Sequence, residues 1–208
     1  MRIALLFFGR INRYDDHYTN IMESIGHEHS IDVFFSCDSE PEAKMLKCVE
    51  LYKPIAYTNK KIQYTCNLLK YPGRRPETNI HNMICHFINK GRVFALLEEY
   101  SIQHAITYDI VMSVRVDTVF LHKIIFEHID PNTIYIPVGE DWVHPGINDQ
   151  MAYGGFEAMK KYMSIFTNII EILEKRQSIP HPENLTYANI KKNALDIKRV
   201  HISYHLER

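Results

Sequence analysis

The sequence predicts an α/β domain with a mixed, mostly parallel sheet flanked by helices, and three observations carry that reading. Short runs rich in Val, Ile and Phe alternate with segments whose apolar residues recur every three or four positions. Residues 2–8 and 110–114 are apolar almost throughout, as strands buried on both faces are. Breakers such as Gly9, Gly26 and Pro54 punctuate the alternation at short intervals.

Taken in order, residues 2–8 are the first strand, and Gly9-Arg10-Ile11-Asn12-Arg13 ends it with a glycine and two arginines. Asp15 and Asp16 are placed to cap a short helix carrying Tyr18, Ile21, Met22 and Ile25, with Gly26 to close it. Residues 31–36 form a second strand. Ser39-Glu40-Pro41-Glu42 then has the layout of a capping box and opens a helix to about Tyr52. Pro54 stops that helix, residues 55–57 make a third strand, and residues 59–76 form a long polar loop ending in Tyr71-Pro72-Gly73-Arg74-Arg75-Pro76. Loops of this length tend to be functional or mobile, which makes this one a candidate to close over a ligand; a basic surface turn is the plainer alternative.

From residue 79 to 104, Ile80, Ile84, Phe87, Phe94, Leu97 and Tyr100 recur at helical spacing, predicting one long core helix with a break at Gly91. Residues 110–114 are a buried strand running into Arg115-Val116-Asp117. A short helix over 121–128, a strand over 134–136 and a loop over 138–148 follow. Helices over 162–175 and 185–195 and a closing strand over 197–206 complete the reading. Residues 1–208 make one domain, and the end straight after a strand leaves room for further polypeptide.

The chain has 208 residues, enough for a full hydrophobic core. Lys and Arg total 24 against 25 Asp and Glu, so no global field recruits nucleic acid or an anionic membrane, and any anion site must be local. Cys37, Cys48, Cys66 and Cys85 stand singly, which argues against a zinc cluster or a dithiol redox pair and for a reducing, cytoplasmic setting. The first apolar run is too short for a signal sequence, and no run reaches the length of a membrane span.

In largely parallel sheets ligands bind outside the carboxyl ends of the strands, so those ends are where chemistry is expected. Gly9 permits close backbone approach, and Arg10 offers a planar fork suited to phosphate oxygens; a surface turn would look the same. Asp38 follows the second strand. Arg115 and Asp117 lie on one face at the end of an apolar strand, where charges are costly without partners. They are either a structural ion pair or a phosphate- and cation-binding strand end, with Mg²⁺ or Mn²⁺ as the ion that a carboxylate and phosphates together would hold. The loop from Asp141 and Trp142 to Asp149 and Gln150 combines the one tryptophan with carboxylates, a combination that suits sugars, although a packed indole is the plainer alternative. Asp149 also reads as the N-cap of the helix that follows. His201 and His205 are four apart, but Val200, Ile202, Tyr204 and Leu206 alternate with them, so a strand with His201, Ser203 and His205 on one face fits better than a helical zinc pair. The dinucleotide and P-loop glycine motifs, the G-x-S-x-G elbow, H-E-x-x-H and the kinase set are all missing.

Three pieces in this order, Phe8-Gly9-Arg10, Tyr108 to Asp117 as a DxD-like strand end, and Gly146-Ile147-Asn148-Asp149-Gln150-Met151-Ala152-Tyr153-Gly154, make the whole chain resemble the glycosyltransferases of the GT-A fold. It is similar in particular to the N-terminal glycosyltransferase domains encoded by large chlorella viruses. The resemblance implies a UDP-sugar donor with a hexose or deoxyhexose of glucose or rhamnose type. It implies a glycan acceptor on a viral capsid glycoprotein, made in the host cytoplasm, and Mn²⁺ (or Mg²⁺) on the diphosphate. Phe8, Gly9, Arg10, Asp38, Arg115 and Asp117 would then bind the donor. Asp117 would hold the metal with His201, or His205 as second choice; Arg115 stands where the first carboxylate of the motif belongs. Asp149 would be the base for the acceptor hydroxyl, and Asp141 and Trp142 would face the acceptor sugar. Two other classes stay open: a sugar-phosphate nucleotidyltransferase, and a sugar-binding module without turnover.

Overall fold

The computed structural model describes residues 1–71, 78–126, 128–141 and 144–207. β1 (Arg2–Phe8) lies in the interior of a seven-stranded sheet because both of its faces are apolar. Ile3, Leu5 and Phe7 enter one hydrophobic cluster and Ala4, Leu6 and Phe8 another, following the two-residue period of a strand. β2 (Ser30–Ser36) and β4 (Ile110–Val114) flank β1 in parallel, and β3 (Ala56–Thr58) runs parallel to β2. Beyond β4 come antiparallel β7 (Ala152–Gly154), then β6 (Thr133–Pro137), and β8 (Asp196–Val200) parallel to β6. A separate two-stranded sheet pairs β5 (Thr118–Phe120) with β9 (Tyr204–Leu206).

Helices α1 (Tyr14–Ile25) and α2 (Glu42–Tyr52) cover one face, and α3 (Ile80–His104) with α4 (Phe156–Met163) covers the other. Helices α5 (Ile165–Glu174) and α6 (Pro182–Lys192) pack on α3 around a third cluster that includes Phe87, Ile169 and Leu185. Aromatic contacts fasten the first layer: Phe7 stacks on Phe35 at 4.8 Å, and the Tyr52 ring meets both edge-on at 5.2 Å. The fold class is thus the mixed α/β sheet that the sequence predicts. Among the described residues no helix is long and apolar enough to cross a membrane.

Several local expectations are corrected, each because a tertiary partner takes the groups that local pattern would use. Arg13, at φ 54°, holds the N-cap position of α1, and Asp16 accepts from Arg13 Nε at 2.9 Å instead of capping. The capping box does not form: Ser39 sits at φ 53°, Pro41 is the N-cap, and Glu40 instead accepts from the Ile11 N–H at 3.1 Å and from Lys44 Nζ at 3.0 Å. Helix α3 runs through Gly91 unbroken, capped by the Asn79 side chain on the Asn82 N–H at 3.0 Å. The expected helix at 121–128 is irregular chain in its described residues, since Leu121 N–H donates to Ser203 O and Ile124 N–H to Ser24 O. The helix expected over 162–175 is two, divided at Ser164, where Asn189 Nδ2 donates to the carbonyls of Lys161 and Tyr162. The last helix starts earlier than expected, with Pro182 in its first turn. The closing strand breaks after Val200, so β8 stays with β6 while β9 joins β5. β7 was not foreseen: it is three residues long, and its alternation is too short to read.

Of the long loop after β3, residues 59–71 are pinned and the stretch 72–77 lies outside the described residues. Arg92 Nη1 donates to Lys60 O at 2.7 Å, and Ile62 and Leu68 are buried. The described part of this loop is thus anchored to α3 and to the core.

Two glycines test the packing in opposite directions. A Cβ on Gly154 would lie 2.9 Å from the Thr133 carbonyl oxygen on β6, whereas at Gly91 the nearest atom is Met163 O at 3.9 Å. Gly154→Ala is expected to cost about 1–3 kcal/mol in urea unfolding through overpacking of the sheet. Gly91→Ala is expected to gain up to about 1 kcal/mol from helix propensity.

Candidate functional site

The parallel register sets the site. Phe8 of β1 faces Ser36 of β2, and Phe7 faces Val114 of β4, so the three carboxyl ends finish side by side. The Gly9 N–H donates to Ser36 O at 2.9 Å, and Gly9 then turns away at φ 94°, a conformation open to glycine and strained for other residues. A cleft of about 760 Å³ lies over these ends, and Phe8, Gly9, Arg10, Asp38, Arg115 and Asp117 all line it. The first two turns of α3 supply its other wall, with His81, Asn82, Cys85 and His86, followed by Asn89. Asn89 Oδ1 is fixed by the Ser36 hydroxyl at 2.8 Å, which ties α3 to β2.

Arg115 and Asp117 form a two-pronged pair, Nε to Oδ1 at 2.8 Å and Nη2 to Oδ2 at 2.5 Å. Burial works against the Arg115 charge, but the bond to Asp117 and the nearby carboxylates outweigh it and raise its pKa. The structural ion pair is thus present, and it lies on the cleft wall.

A second cavity, of about 400 Å³, adjoins the first and shares Asn82, His86 and Arg115 with it. Asp149 lines this second space. It does not cap a helix: Met151, strand β7 and Gly155 separate it from α4. His86 Nε2 lies 3.3 Å from Asp149 Oδ2. Lys90, fully buried, donates from Nζ to the Asp149 backbone carbonyl at 2.7 Å and sits 5.1 Å from the ring centres of both Phe8 and Tyr162. Burial pushes Asp149 up, yet His86 and the positive field of Lys90 and Arg115 prevail and hold it down at about 2. Burial and Lys90 push His86 down to about 4. At neutral pH the pair is therefore a carboxylate beside a neutral imidazole.

The remaining expected residues fall elsewhere. Asp141 lines neither cavity: Oδ1 accepts from the Asn148 N–H at 2.7 Å and Oδ2 pairs with Arg199 at 2.9 Å, so it braces the loop before Asp149. Trp142 lies outside the described residues. His201 and His205 are exposed, His201 after β8 and His205 on β9, and neither lines the cleft. The expected ligand pair of Asp117 with His201 is not assembled, because Arg115 holds both Asp117 oxygens and the strand carrying the histidines breaks at Val200. This donor set does not fit Mn²⁺ or Mg²⁺.

Sequence reasoning missed His81, Cys85, His86, Asn89 and Lys90, since α3 reads as a core helix. A signal was there. The polar residues recur at 81, 82, 85, 86, 89 and 90, a stripe at helical spacing that runs beside the apolar one.

Burial pulls Lys90 from its ordinary 10.5 to about 8. Between those values the unfolded chain holds a proton that the folded chain has released, so Lys90 makes stability rise with pH across that window. In Lys90→Met that rise is expected to vanish from the difference between wild-type and variant unfolding curves measured at pH 7 to 10.5.

No protein-family model matches the chain, and no curated protein sequence matches it. Among solved structures it is similar to a glycosyltransferase involved in the glycosylation of the major capsid of PBCV-1, with a TM-score of 0.51 and 12% identity over 97% of this chain and 82% of that one. At that identity the likeness is one of fold: a Rossmann-like sheet, mixed and mostly parallel, between helical layers.

Proposed function

We propose that the chain is a glycosyltransferase that moves a hexose or deoxyhexose, of glucose or rhamnose type, from a UDP-sugar to a hydroxyl of a glycan. The observation that carries the reading is the joining of two cavities at Arg115 and His86, one with guanidinium groups at strand ends, the other with an ionised, partly buried carboxylate. The fold shared with a capsid glycosyltransferase supports the same reading and points to a glycoprotein as the carrier of the acceptor.

In this reading the diphosphate lies over Gly9, where no Cβ intervenes, and Arg10 and Arg115 face its oxygens. Asp38 and Asn12 line the nucleoside end. As the bond from the anomeric carbon to the phosphate oxygen breaks, the electron pair leaves with the diphosphate, and the guanidinium groups stabilise the developing charge. The acceptor hydroxyl enters the second cavity, its oxygen bonds to the anomeric carbon, and its proton passes to the Asp149 carboxylate. The positive field of Lys90 and Arg115 keeps that carboxylate ionised, and the Lys90 bond to the Asp149 carbonyl fixes its backbone. Positive charge at the diphosphate comes from Arg115 and Arg10.

Two outcomes test this. Asp149→Asn is expected to bind UDP as the wild type does in calorimetry while losing about 10²- to 10⁴-fold in kcat, the range for a general base; undiminished turnover would remove Asp149 from that role. Arg10 is exposed, so Arg10→Ala is expected to leave the melting temperature unchanged and to weaken UDP binding by about tenfold or more, the worth of a charge-assisted hydrogen bond. Release of pyrophosphate from a nucleoside triphosphate, with no UDP formed from a UDP-sugar, would instead identify a nucleotidyltransferase.

A further inference from the structure

Three side chains of different chemistry converge in the cleft. Asp38 follows β2, while His81 and Cys85 are four residues apart on the first turns of α3, the spacing that puts two side chains on one helix face. Their potential donor atoms all lie within 4.8 Å of one another. His81 Nε2 is 3.6 Å from Cys85 Sγ. Zinc bonds of about 2.05 Å to nitrogen and 2.3 Å to sulfur, opened to the tetrahedral angle, require a nitrogen–sulfur separation of about 3.6 Å.

The surroundings brace two of the three groups. The Tyr64 hydroxyl lies 2.9 Å from His81 Nδ1, which is how a metal-bound imidazole is commonly oriented through its second nitrogen. Asp38 Oδ1 accepts from the Ile62 N–H at 2.7 Å, and Ile62 is itself buried. The segment that carries Tyr64 and Ile62 is held to α3 by Arg92 on the carbonyl of Lys60, so these braces do not depend on a free loop.

We propose that Asp38, His81 and Cys85 form a site for a borderline transition-metal ion of the Zn²⁺ class, with one coordination position open to the cleft. Thiolate, imidazole and carboxylate together select Zn²⁺ or Co²⁺ over Mg²⁺, Ca²⁺ and Mn²⁺, which take oxygen donors. Binding expels the Cys85 thiol proton to solvent, and the two anionic ligands balance the charge of the ion. Three protein ligands leave a fourth position, for water or for a donor atom of whatever occupies the cleft. The site rests on side-chain geometry and not on the proposed transferase chemistry, although Asp38 belongs to the same cleft.

The test is a Co²⁺ titration of the full chain under reducing conditions, with no nucleotide present. Expected are the intense visible bands of tetrahedral Co²⁺ and a near-ultraviolet thiolate charge-transfer band, saturating at one equivalent and abolished by Zn²⁺. Cys85→Ser is expected to lose the charge-transfer band, His81→Ala to weaken Co²⁺ binding by at least about tenfold, and Cys66→Ser to change neither. Each variant is checked for an unchanged far-ultraviolet spectrum. Absence of bands in the wild type, or a charge-transfer band that survives Cys85→Ser, would overturn the proposal. UDP binding measured separately in the same preparations distinguishes that failure from failure of the donor reading.

Discussion

The parallel pairing of β1 with β2 on one edge and β4 on the other aligns three carboxyl ends, with Phe8 opposite Ser36 and Phe7 opposite Val114. Because β1 buries apolar side chains on both faces, a shift of one residue would exchange its two faces and break both layers of packing at once. The register is therefore held by the whole core. From it follows the position of Gly9 and Arg115, the residues that come next after β1 and β4, and of Asp38, two residues past the end of β2.

Against that apolar frame stands a concentration of charge that stability alone does not call for. Lys90 is buried completely, the His86 and Asp149 side chains are 17% and 13% exposed, and the Arg115–Asp117 pair is set at the edge of the same region. Buried ions cost free energy to desolvate, and an apolar replacement of similar volume is often no less stable. Here each charge has a partner: Lys90 the Asp149 carbonyl and two aromatic faces, Asp149 the His86 ring, Arg115 the carboxylate of Asp117. A cluster of this kind at the junction of two cavities is a feature of a working site more than of a scaffold.

Much of the fold is legible in local pattern. The strands at 2–8 and 110–114 are apolar almost throughout and the helix from 80 keeps its apolar spacing past Gly91, so local pattern identifies them. The errors fall where a distant group intervenes. Asn189 on the carbonyls of Lys161 and Tyr162 divides one predicted helix, the backbone of Ser24 and Ser203 takes the donors of another, and three-residue β7 has too little alternation to declare itself. The site divides in the same way. Residues at strand ends were found because the architecture says where to look, whereas those on α3 were hidden by its apolar stripe.

The sequence by itself determined the alternation of strands and helices, the absence of a global charge bias, and the polar groups at the ends of β1, β2 and β4, because these depend on residue type and on neighbours a few positions away. Only the tertiary structure decided that Arg115 closes on Asp117, that His201 stands apart from them, and that His86 and Lys90 meet Asp149. It likewise decided that Cys85, a lone thiol in the chain, lies beside His81 and Asp38. The physical reason is that such contacts join residues tens of positions apart, and their geometry is set by how the helix seats on the sheet, a property of the packed core and not of any segment within it.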